Sequence, residues 1–80
     1  MNCSVNELRA KEVINVSDGA RLGYVSDVEI DLNEGKIIAI IVPGPYRLMG
    51  FLGKENDLVI KWENIMKIGD DVIIIENFGE

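Results

Sequence analysis

Apolar residues fall along this chain in short β-branched runs cut by turn residues, a pattern that predicts strands. Glu12 to Val16 reads as the first, because Val13, Ile14 and Val16 pack well on a pleated surface. Ser17-Asp18-Gly19 follows as a turn: the Asp side chain caps its own backbone and Gly permits positive φ. Leu22 to Leu32 reads as one long strand with a defect in its period. Val28, Ile30 and Leu32 share the parity of Leu22, and Val25 falls off it. A β-bulge near Ser26-Asp27 lets Val25 and Val28 both face inward and bends the strand. Gly23 permits tight curvature there. Together these features predict a strand that coils round a small barrel.

Asn33-Glu34-Gly35 is a short hairpin loop with Gly35 available for a left-handed position. The next strand, Ile37 to Val42, is apolar on both parities, so both its faces need cover. One face meets the core; the other meets a second layer, the termini or another chain. Pro43-Gly44-Pro45 stops it, since proline lacks the backbone donor that a ladder needs. Tyr46 to Phe51 reads as a short edge strand or a lid, Gly53 to Asp57 as a polar turn, and Leu58 to Lys61 as strand. Trp62 to Ile65 reads as a single turn, and Gly69-Asp70-Asp71 as a hairpin signal before the last strand, Val72 to Ile75. Near the start, Ser4 and Glu7 form an S-x-x-E capping box for one short helical turn before Leu8. The expectation is one domain over residues 1–80, with its core over 8–76 and a loose tail over 77–80.

Composition narrows the function classes. Eighty residues form a domain near the size at which a core barely offsets chain entropy, and 48% apolar content is enough for a core. The net charge of −6 opposes binding to phosphate backbones and to anionic membrane surfaces. The apolar run Ile37 to Val42 is far shorter than the ~20 residues of a membrane helix. The start of the chain has no basic and apolar leader, and the single cysteine, Cys3, has no internal partner. A cytoplasmic protein that neither binds nucleic acid nor inserts in a membrane is the expectation.

The order of these residues resembles a PRC-barrel domain. The first half is carried by Lys11-x-Val13-Ile14, Asp18-Gly19, Leu22-Gly23-x-Val25-x-Asp27-Val28 and Gly35-x-Ile37. The second half is carried by Leu58-Val59-Ile60-x-Trp62-x-x-Ile65-x-x-Ile68-Gly69-x-Asp71-Val72-Ile73. That domain is shared by the H subunit of photosynthetic reaction centres and a ribosome maturation factor. Among stand-alone versions the chain is similar to the short YlmC/YmxH-type sporulation family. The resemblance spans roughly Leu8 to Glu76. It implies an all-β fold: a small antiparallel β-barrel of five to six strands, with at most a short helical turn. It also implies a protein-interaction or assembly module with no catalytic residues.

The residues themselves offer little chemistry. Asp27, Glu29 and Asp31 alternate, so three carboxylates lie along one side of a strand. A calcium loop needs Gly where this run has Leu32, so a solvated acidic face is the better account. Asp27 alone suits a hydrogen bond to a neighbouring turn backbone. Asp70-Asp71 is better read as hairpin chemistry than as an acid pair. The chain has no histidine, which removes the commonest general base and metal ligand. No catalytic residue, metal or cofactor is expected. Trp62 is either an exposed anchor or a half-buried core residue, and its place after Val59-Ile60 favours the core.

Function is therefore expected at surfaces. Tyr46, Arg47, Leu48, Met49 and Phe51 join two strands yet carry the side-chain types that form interface cores. They are the expected partner-binding set, for an unidentified protein. Ile37, Ala39, Ile41, Ile73 and Ile75 lie on the doubly apolar strands and are the expected burial set of a homodimer. The alternative is a small-ligand carrier that uses the barrel mouth, though a barrel this small is normally filled by its own side chains.

Overall fold

The computed structural model describes residues 2–44 and 57–76. Helix α1 (Val5–Arg9) opens the fold. Its capping box forms as the sequence predicts: the Ser4 hydroxyl accepts from the Glu7 amide at 3.1 Å, and the Glu7 carboxylate accepts from the Ser4 amide at 2.7 Å. Leu8 is the residue of this turn that enters the core.

Among the described residues seven strands follow: β1 (Glu12–Asn15), β2 (Ala20–Tyr24), β3 (Asp27–Asp31), β4 (Lys36–Val42), β5 (Leu58–Lys61), β6 (Ile65–Ile68) and β7 (Val72–Ile75). A 3-10 turn over Trp62–Asn64 joins β5 to β6. The strands make two sheets, ordered β2-β1-β7-β6 and β3-β4-β5. The pairings are antiparallel except that β1 runs parallel to β7, with Val13 opposite Ile73 and Asn15 opposite Ile75.

The core lies between the sheets. Val13, Ile73 and Ile75 come from the four-stranded sheet; Ile40, Val42 and Ile60 come from the three-stranded one; Leu8 and Val25 complete it. Alternation explains the selection, since every second side chain of a strand shares a face.

Three expectations change. The sequence predicts five to six antiparallel strands closed into a barrel; the described residues form seven strands in two sheets, with one parallel pair and no ladder joining the sheets. The predicted long strand from Leu22 to Leu32 is two strands in different sheets. The chain crosses between them at Val25-Ser26, where Val25 is buried and the Ser26 amide reaches the Ile41 carbonyl at 2.8 Å. Ile30 and Leu32 face outward rather than inward, at 52% and 90% exposure, because β3 is an edge strand whose hairpin projects from the core. The capped helix, the Asp18 turn, the Gly35 hairpin at φ 68° and the last strand stand as read.

Candidate functional site

The three-stranded sheet has one face on the core and one turned away. On β4, Ile40 and Val42 point inward and are fully buried, with Ile60 of β5 opposite Ile40. Ala39 and Ile41 therefore belong to the outer face, with their cross-strand partners. Ala39 lies opposite Glu29 on β3 and Lys61 on β5; Ile41 lies opposite Asp27 and Val59. Ala39 is 3% exposed yet stands outside the core cluster.

A bulge adds one more apolar group to this face. The β3–β4 register shifts between Glu29 and Ile30, whose partners are Ala39 and Ile37, so Ile38 is the extra residue on β4. A bulge re-aims a side chain, and Ile38 is left exposed. The 3-10 turn then sets Trp62 beside it. Glu29, Ile38, Ala39, Val59, Lys61 and Trp62 line one open groove of about 550 Å³, with Glu63 at its margin.

Of the acidic row expected from Asp27, Glu29 and Asp31, two members are engaged by local backbone amides. Asp27 accepts from the Val28 amide at 2.8 Å, inside its own strand rather than at the neighbouring turn backbone expected for it. Asp31 turns into the hairpin, where its carboxylate accepts from the Asn33 amide at 2.9 Å and the Glu34 amide at 3.4 Å. Glu29 alone of the three lines the groove.

A second recess, of about 390 Å³, lies between the start of the chain and the β6–β7 turn, lined by Asn2, Cys3, Glu7, Lys11, Ile68, Gly69 and Asp70. Its cation is already committed. The Lys11 ammonium donates to the Gly69 carbonyl at 2.8 Å and the Asp70 carbonyl at 2.6 Å, so it ties that turn to the start of β1. The capping hydrogen bonds from Ser4 hold the Glu7 carboxyl below the ordinary glutamate range. Away from both recesses, Arg21 pairs with Glu12 through two hydrogen bonds of 3.1 and 2.8 Å, which lowers the Glu12 carboxyl and raises the guanidinium.

Of the residues expected to bind a partner, Tyr46, Arg47, Leu48, Met49 and Phe51 lie outside the described residues. Of those expected to bury a dimer, Ala39 and Ile41 sit on the outer face, and Ile37 is half-buried. Ile73 and Ile75 are different: they are fully buried in the chain's own core and have no area left to give a second chain. Both belong to the inner face of β7. Trp62, expected as a half-buried core residue, is 37% exposed and lies outside the core cluster. Ile38 and Val59 were not singled out in the sequence. The signal was present in the doubly apolar run of β4, but the bulge that selects Ile38 depends on pairing with β3.

The PRC-barrel domain family matches residues 3–80 of the chain. The chain is 50% identical over 72 residues to the "Probable sporulation protein YlmC" of Bacillus subtilis, covering 90% of this chain and 89% of that one. It is 43% identical over 72 residues to an uncharacterized protein of Clostridium acetobutylicum, covering 90% and 82%. It is 31% identical over 74 residues to the uncharacterized protein YmxH of Bacillus subtilis, covering 90% and 86%.

Proposed function

This chain belongs to the PRC-barrel family, and on that footing we propose that it is a non-enzymatic protein-interaction module that acts in sporulation. One observation carries the interaction half of this reading. Ile38, Val59 and Trp62 are exposed together on the outer face of a sheet whose other face already serves the core. Large apolar groups gathered at one surface mark contact sites. The sporulation half rests on the name of the half-identical Bacillus relative. In this reading Tyr46, Arg47, Leu48, Met49 and Phe51 also bind the partner, since aromatic, Met and Arg side chains suit an interface core.

The test is affinity capture with the tagged chain from cells entering sporulation. A Met49→Asp/Phe51→Asp variant with an unchanged thermal melt should lose the captured partner. Equal capture by the variant removes those residues from the contact surface. Absence of any captured protein at any stage of sporulation removes the assignment itself.

The recess beside Lys11 favours a second reading, a small-ligand carrier, since its volume suits a small molecule. A metabolite panel read by thermal shift checks it. A ligand that raises the midpoint of the wild type supports the carrier, and a panel in which none does removes it.

A further inference from the structure

One row crosses the outer face of the three-stranded sheet. Glu29 on β3, Ala39 on β4 and Lys61 on β5 stand in register, so the row reads negative, small, positive. Its charged ends are two strands apart, roughly 9–10 Å, too far to pair with each other. The ion pairs among the described residues are Arg21–Glu12 and Lys36–Glu34, and neither end of the row takes part. Around the row, Ile38, Val59 and Trp62 are 47%, 51% and 37% exposed.

We propose that this face is covered by the same face of a second copy of the chain, packed sheet on sheet about a two-fold axis that runs along β4. Rotation about that axis keeps position along the strand and exchanges the two sides. Lys61 then meets the partner's Glu29, and Glu29 meets the partner's Lys61. Ala39 falls on the axis, but at 3% exposure it is already covered, so the larger side chains around it make the contact. Ile38 and Ile41, on the same strand, line the seam. An axis across the strands would instead set Glu29 over Glu29 and Lys61 over Lys61. Like charges placed opposite one another are strongly unfavourable, so the row selects the first arrangement. The net charge of −6 on each copy is screened beyond a Debye length of about 8 Å at physiological salt, whereas charges in contact are screened less. Three short strands offer less than the roughly 800 Å² per partner of a standard interface, so dissociation in the micromolar range is expected.

This inference deepens the module reading by naming one partner, and its test does not use the residues from Tyr46 to Phe51. Partner capture can therefore fail while the dimer stands, and the reverse. The experiment is sedimentation velocity over a concentration series, on the wild type, Glu29→Lys, Lys61→Glu and the double exchange. The wild type should dimerise. Each single reversal should weaken the dimer by about tenfold or more, since it places like charges at both symmetric contacts. The double exchange should return the constant to within about threefold of wild type, because opposite charges face again. Thermal melts identify folded variants, and Val59→Asp, on the same face but outside the row, serves where a reversal fails to fold and must weaken the dimer too. A wild type that stays monomeric, single reversals that leave the dimer untouched, or a double exchange as weak as the singles would each overturn the proposal.

Discussion

Gly23 holds φ at 121° on β2, and a Cβ added there would lie 3.4 Å from a methyl of Val42 on the facing sheet. The space is ordinary van der Waals contact, so backbone strain decides the outcome. Gly23→Ala should destabilise the fold by about 1–3 kcal/mol, read as a lower urea midpoint with an unchanged slope. Glu7 and Glu12 make a second test at this scale. Both carboxyls are held below the ordinary glutamate range, Glu7 by its hydrogen bonds to Ser4 and Glu12 by Arg21. A depressed folded value stabilises the protein above the unfolded value, and that stability is lost as pH falls through the folded one. The melting temperature should therefore drop as pH falls from about 5 to about 3, and Glu7→Gln/Glu12→Gln should flatten that drop. A parallel drop in wild type and variant would mean other carboxylates govern acid unfolding.

At the scale of elements, Lys11 ties the turn between β6 and β7 to the entrance of β1 through two carbonyls. Hydrogen bonds from a charged donor contribute about 1.5–3 kcal/mol, so Lys11→Met should destabilise by roughly that amount and speed amide exchange in β6 and β7. The local devices of the fold were legible in the sequence because their chemistry is local. Ser4 and Glu7 cap each other three residues apart; Asp18 bonds the Ala20 amide two residues on; Gly35 turns a hairpin between neighbours. The change of sheet at Val25-Ser26 was not legible. A bulge and a crossing both bury Val25 beside a half-buried Val28, and what separates them is which strand lies alongside. The same holds for β6, read only as the stretch between a turn and a hairpin signal, and for the outward turn of Ile38. Each is decided by a partner strand, and for β4 the partner that sets the bulge is β3.

At the scale of the whole molecule, a few isoleucines carry the contact between the two sheets. Ile60 is 1% exposed, and Ile60→Ala should cost about 2–5 kcal/mol. An 80-residue domain has roughly 4–12 kcal/mol of stability in all, so circular dichroism should show this variant largely unfolded or melting far below wild type. The parallel pairing of β1 with β7 acts over the greatest chain distance, since it joins Glu12 to Val72 and Asn15 to Ile75. Until β7 is available, β1 has a neighbour on one side only, and the four-stranded sheet stays split. During synthesis the early hairpins must wait, because β7 is the last of the described strands to be made. A nascent chain arrested before Val72 should be digested by protease as readily as an unfolded one, and resistance should appear only once Ile75 has cleared the exit tunnel.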